Sequence, residues 1–93
     1  MDSSYRAAIS RAFLVQYCRC HLTQLRDTLL DHIKQRPFMP EEAEAYLKLS
    51  EHLYHLATNA AIGYSAPTTT LNALAALYDE IDTVLLWNNM GNH

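Results

Sequence analysis

The stretch from residue 5 to residue 35 constrains the fold most, because it contains neither glycine nor proline. Its apolar residues recur at steps of three and four, which is the pattern of a helix with a buried side. Asp2, Ser3 and Ser4 are good N-cap types, and Pro37 interrupts the pattern at the far end. At about 1.5 Å per residue this helix would be roughly 45 Å long, so it would set the long dimension of the molecule.

Two further helical segments follow after short connections. Pro40 opens the second, with glutamates in its first turn where carboxylates suit the helix dipole, and Gly63 is placed to close it as the C′ residue. The third begins after Pro67 and gives way to a polar, fraying tail at Asn88. The short connections favour antiparallel neighbours. We therefore predict an all-α three-helix bundle in a single domain, residues 1–93, with helices at about 4–35, 40–62 and 68–88.

Each helix carries an apolar stripe that we assign to the core of the monomer. The stripe of the first helix consists of Ala7, Leu14, Val15, Cys18, Leu22, Leu25, Leu29, His32 and Ile33. The main stripe of the second consists of Ala45, Tyr46, Leu49, Leu53, Leu56, Ala57, Ala60 and Tyr64, with a smaller one at Ala43, Leu47, Tyr54 and Ala61. The third presents Leu71, Leu74, Leu77, Tyr78, Ile81, Val84 and Leu85, and leaves Leu86 and Trp87 off that side.

The first half of the long helix has a second apolar stripe. It comprises Ile9, Phe13, Tyr17 and Cys20, flanked by Tyr5 and Ala12. The length of the second helix brings it back only to about the level of residue 12, so residues 3–12 are expected to project beyond the hairpin. An overhanging helix with apolar residues on two sides is expected to meet another chain. We predict a homodimer, because two-fold dimers are the commonest assemblies.

Composition supports contact with another protein. A 93-residue chain buries only roughly 60–65% of its unfolded surface, yet 49% of these residues are hydrophobic. Charge is segregated: residues 1–40 carry six basic and three acidic side chains, net +3, whereas residues 41–93 carry one basic and seven acidic, net −6. The first helix can therefore attract the other two, and the far side of the domain should be acidic.

The chain lacks the motifs of common enzyme classes. Two glycines cannot build a phosphate-binding loop, and the sequence contains no HExxH, CxxC or GxSxG pattern. The glutamates at residues 41–44 suit a helix N-terminus, and the acids at residues 79–82 suit a solvated side. We predict no catalytic residues, no metal and no cofactor.

Two alternatives of other classes remain open. A metal- or thiol-dependent protein would use Cys20 with His52 and His55, which lie three residues apart on one helix. A dimeric DNA-associated regulator would use the arginines of the first helix, which scatter around it in a chain with a pI near 5.9. The four arginines are Arg6, Arg11, Arg19 and Arg26.

The leading prediction is a small acidic, non-enzymatic protein–protein interaction module. It would act in the cytoplasm, since the chain has neither a signal-peptide pattern nor an apolar run of about 18 residues. Its role would be that of a regulator, adaptor or inhibitor, docking a helix side onto another protein without binding nucleic acid or membrane. The predicted contact residues are Tyr5, Ile9, Phe13, Tyr17, Cys20, Tyr54 and Trp87.

Overall fold

The computed structural model describes the backbone of residues 3–91 and the side chains of residues 6–88. Three helices make up the fold: α1 (Ser3–Ile33), α2 (Pro40–Gly63) and α3 (Thr68–Gly91). Each helix packs against the other two, and residues 3–91 contain no strand. The prediction of an all-α three-helix bundle is confirmed.

The helix ends differ from the predicted ones by a few residues. α1 ends at Ile33, two residues early, and a turn follows it. In this turn the N–H groups of Gln35 and Arg36 both donate to the carbonyl oxygen of His32, at 2.9 and 3.2 Å. α2 begins as predicted at Pro40, and the Met39 N–H donates to Oε1 of Glu42 at 3.2 Å. This bond supplies an acceptor for an N–H group next to the helix start.

The end of α2 is built differently from the prediction. Gly63 is the last helical residue and does not have a positive φ, whereas Ser65 does, with φ of 57°. The Ala66 N–H donates to the carbonyl oxygen of Ala61 at 2.9 Å, so Ser65 takes the C′ place of a Schellman motif. Assigning that place to Gly63 was wrong, because a serine occupies the left-handed position that glycine usually fills.

The predicted stripes of α1 and α3 are confirmed as the core-facing sides. The buried apolar residues of these two helices are Val15, Cys18, Leu22, Leu29, Leu74, Leu77, Ile81, Val84 and Leu85. Leu14, Leu25, Ile33 and Leu71 are partly buried against them.

The rotation of α2 corrects the prediction for that helix. Its closest packing uses small residues: Ala43, Ser50, Ala57, Ala60 and Ala61 are buried. Alanines let helix backbones approach closely, and the buried Ser50 hydroxyl is satisfied by donating to the Leu47 carbonyl oxygen at 2.8 Å. The predicted main stripe is therefore only half inside, and its members Ala45, Leu49 and Leu56 lie exposed.

The linker between α1 and α2 closes one end of the bundle. The ring of Phe38 is 2% exposed, stacks on His32 with centroids 4.4 Å apart, and meets the edge of Tyr46 at 5.3 Å. The Asn88 side chain is buried beside it: Oδ1 accepts from the Phe38 N–H at 2.5 Å, and Nδ2 donates to the Phe38 carbonyl oxygen at 3.2 Å. Asn88 thus belongs to the fold, and its assignment to a fraying tail was wrong.

The overhang of α1 is present at the other end of the bundle. Nη1 of Arg11 donates to the Gly63 carbonyl oxygen at 3.4 Å, so the last turn of α2 lies at the level of Arg11. A cation suits the negative end of a helix dipole. Residues 3–10 extend past this level by about 12 Å. The molecule measures 56 × 20 × 17 Å, and its radius of gyration of 15.4 Å exceeds the roughly 12 Å of a compact chain of this length.

A charge pair joins α1 to α3, and a second joins the α1–α2 linker to α2, as the charge segregation predicts. The guanidinium of Arg26 reaches Glu80 at 2.7 Å and Asp27 at 3.2 Å, and these hydrogen bonds raise the pKa of Arg26. Arg36 lies 3.9 Å from Glu42. Because the pairs are at least partly exposed, each contributes about 1 kcal/mol or less, and they set register more than stability.

Candidate protein-docking surface

The side of α1 that faces away from the core exposes two aromatic rings. Phe13 is 73% exposed and Tyr17 is 60% exposed, and Ile9 lies one turn before them. Ile9, Ala12, Phe13 and Gln16 line a shallow depression of about 270 Å³. We name this surface, from Ile9 through Phe13 and Tyr17 to His21, the α1 face.

The α1 face continues onto α2. The rings of Tyr17 and His21 are 4.3 Å apart and tilted by 58°, so they form one aromatic surface. Beside them runs a groove of about 370 Å³ between the two helices, lined by Tyr17, His21, Gln24, Leu25, Thr28, Leu49 and Leu53. The sequence pattern assigned Leu49 to the core, but Leu49 is exposed. Together with Leu53 it makes the α2 side of this groove apolar.

Cys20, another predicted contact residue, lies at the margin of the α1 face. Cys20 is exposed, and its Sγ accepts a long hydrogen bond from Nε2 of Gln16 at 3.9 Å. It lines a second shallow depression with Arg19 and Thr23. The Tyr5 side chain lies outside the described residues, so its role as a contact residue stays a prediction.

The structure does not bring Tyr54 to the α1 face. Its ring is partly buried and stacks on Tyr78, with centroids 4.7 Å apart and planes 17° from parallel. The Tyr78 hydroxyl donates to Glu51 at 3.4 Å, and burial, reinforced by the nearby Glu51 and Asp82 carboxylates, raises the pKa of Tyr78. Tyr54 therefore contributes to the α2–α3 contact, and its predicted role in binding a partner stays a prediction.

Trp87 lies exposed but far from the α1 face. It is 63% exposed, next to Leu86, one residue before the Asn88 that binds the α1–α2 linker. A groove of about 410 Å³ near it is lined by Pro40, Ala43, Glu44, Leu47, Asp82, Leu85 and Leu86. Phe13 and Trp87 thus mark opposite ends of the bundle, and one compact interface cannot include both.

Of the two thiols, Cys18 is buried, and Cys20, which the thiol alternative uses, is exposed. Burial raises the pKa of the Cys18 thiol and so disfavours its reactive thiolate form. His52 and His55 are exposed on α2. Among the described residues, no group of three or more histidine, cysteine, aspartate or glutamate side chains is placed to hold a metal ion.

The arginines of α1 do not form one nucleic-acid-binding stripe. Arg11 is bound to the end of α2, and Arg26 is paired with Glu80 on α3. Arg6 and Arg19 are exposed. On an ideal helix they point about 140° apart, because thirteen residues separate them.

Comparison with known proteins gives no relative: no family model, no curated protein and no solved structure matches the chain. Within residues 3–91, none of the helices has the length and hydropathy needed to cross a membrane.

Proposed function

We propose that this protein is a non-enzymatic interaction module that regulates, adapts or inhibits a partner by docking the α1 face onto it. One observation carries the proposal: Phe13 and Tyr17 are 73% and 60% exposed on a helix whose opposite side already fills the core. Burying a side chain of this size gains about 1.5–3 kcal/mol, so a partner that covers both rings recovers a large free energy. The proposal places this action in the cytoplasm, where the thiols of Cys18 and Cys20 stay reduced.

The shape of the surface favours a protein partner over a small ligand. Small-molecule sites are concave and enclose most of their ligand. The depression at Phe13 is instead shallow, and the neighbouring groove is open along its length. Aromatic residues on an exposed helix side are typical anchors of protein interfaces.

Charge on the other helices would add selectivity. Asp79, Glu80 and Asp82 are exposed on the solvent side of α3, and Glu41 and Glu44 on α2. Complementary charge directs encounter and rejects partners of like sign more than it adds affinity. These carboxylates are exposed, although Glu44 and Asp82 also line the groove beside Leu86, and the proposal assigns them no catalytic role.

Co-purification with matched variants tests the proposal. The tagged chain is expressed in its native cell as wild type, as Phe13→Glu and as Leu86→Glu, and bound proteins, the untagged chain included, are identified by mass spectrometry. We expect Phe13→Glu to lose a partner that wild type and Leu86→Glu both retain, because a carboxylate cannot be buried in an apolar contact without a large penalty. Identical partners for wild type and Phe13→Glu, with the untagged chain counted among them, would refute docking through the α1 face. Circular dichroism of each variant checks that the helices are retained.

A further inference from the structure

We propose that a second copy of this chain occupies the α1 face, with the two α1 helices antiparallel and a two-fold axis at Tyr17. The inference rests on the proposed function of the α1 face and names its partner. A two-fold interface must be self-complementary, because the same surface contributes from both sides. α1 meets this condition in its residue pattern, its charges and its overhang.

The pattern of α1 is symmetric about Tyr17. Positions four, seven and eleven residues away lie on the same side of a helix as the starting residue. In an antiparallel pair with its two-fold axis at Tyr17, a residue a given number of positions before Tyr17 on one copy lies opposite the residue the same number of positions after Tyr17 on the other copy. The pairs are Phe13 with His21, Ser10 with Gln24, and Arg6 with Thr28. Aromatic rings therefore meet at the centre, and polar groups meet polar groups on both flanks.

Charge selects the antiparallel arrangement and its centre. With the axis at Tyr17, Arg6 of one copy falls between the levels of Asp27 and Asp31 of the other, and all three side chains are exposed. Opposite charges then meet twice, once at each end of the interface. A parallel pair would instead place Arg6 beside Arg6 and Asp31 beside Asp31, which repels.

The overhang fits the same register. Residues 3–10 of one copy lie alongside residues 24–31 of the other, so each overhang covers the part of α1 that follows the aromatic centre. Gln24, Asp27, Thr28 and Asp31 are exposed there. Phe13 lies beside Tyr17 and Cys20 of the second copy, and its ring is buried from solvent there. The contact then extends along nearly the whole of α1.

Sedimentation equilibrium over a range of concentrations tests the dimer. We expect the wild type to approach twice the 10.6 kDa mass, and Phe13→Glu to weaken association by roughly 30-fold or more, because two carboxylates enter the apolar centre. Leu86→Glu is the matched control, since it places the same carboxylate on an exposed apolar residue at the far end of the bundle, and it should leave the dissociation constant unchanged. If Phe13→Glu loses helicity, Tyr17→Lys takes its place.

Charge reversal tests the register. Arg6→Glu should weaken the dimer by about tenfold, since an exposed ion pair is worth up to about 1 kcal/mol and this one occurs twice. Adding Asp31→Arg to Arg6→Glu should restore association. If the dimer is parallel, Arg6→Glu should instead strengthen association, because the substitution removes the repulsion between the two Arg6 side chains.

The outcomes separate this inference from the proposed function. A chain that is monomeric at every concentration, while Phe13→Glu still loses a co-purified partner, overturns the homodimer and leaves docking through the α1 face standing. If neither Phe13→Glu nor Tyr17→Lys weakens the dimer, the chain self-associates through another surface, and this result also overturns the inference. A dimer that Arg6→Glu strengthens overturns the antiparallel register.

Discussion

Phe38→Ala is expected to lower the free energy of unfolding by about 3–5 kcal/mol, the usual cost of deleting a buried phenylalanine ring. Phe38 is the largest fully buried side chain, and its ring stacks on His32 and meets the edge of Tyr46. Removing it leaves a cavity where α1, the linker and α2 meet, and it forfeits both aromatic contacts. Urea unfolding followed by circular dichroism, at one fixed protein concentration, gives the difference.

The neighbouring Met39 supplies the control. It belongs to the same linker but is exposed, so Met39→Ala should change stability by about 0.5 kcal/mol or less. Equal effects of the two substitutions would show that the linker does not close the bundle through Phe38.

Asn88→Ala is expected to cost about 2–4 kcal/mol. The substitution removes both hydrogen bonds between the Asn88 side chain and the Phe38 backbone, and both residues are buried. A buried N–H or carbonyl group that loses its partner costs about 1–3 kcal/mol. This loss in the free energy of unfolding is larger than the loss expected if the substitution only shortened the end of α3. The same urea titration measures it.

Asn72 is the matched control for this prediction, because it is an exposed asparagine on the same helix. Asn72→Ala should be neutral or slightly stabilising, since alanine is the better helix former. A double variant, Phe38→Ala with Asn88→Ala, should cost less than the sum of the single losses, because the two residues share one packed cluster. Strict additivity would argue against that cluster.

The sequence predicts the fold well because its helices are long and clearly bounded. Pro37 and Pro40 bracket one turn and Pro67 follows the other, and the stripes of α1 and α3 contain large apolar residues at regular spacing. The side of α2 that packs inward could not be read in this way. Its buried stripe runs through Ser50 and small alanines, whereas its leucine-rich stripe looks more hydrophobic and is only half inside. Close backbone approach, which small residues permit, decided the rotation.

Long-range hydrogen bonds lie beyond a local pattern. Asn88 follows an apolar helix and precedes a polar segment, so nothing near it in sequence signals that it binds the backbone of Phe38, fifty residues earlier. The candidate surface was easier to foresee. Ile9, Phe13 and Tyr17 stand on a side of α1 that the core stripe does not use, and they are exposed.

Photo-cross-linking in the native cell tests the central claim most directly. A benzophenone amino acid is placed at Phe13, and in a parallel sample at Thr83, which is exposed on the solvent side of α3. The docking proposal predicts discrete protein adducts from position 13 and none from position 83. An adduct of twice the chain mass identifies the second copy as the occupant. Irradiation that yields no protein adduct at position 13, or the same pattern from both positions, would contradict the claim that the α1 face binds protein.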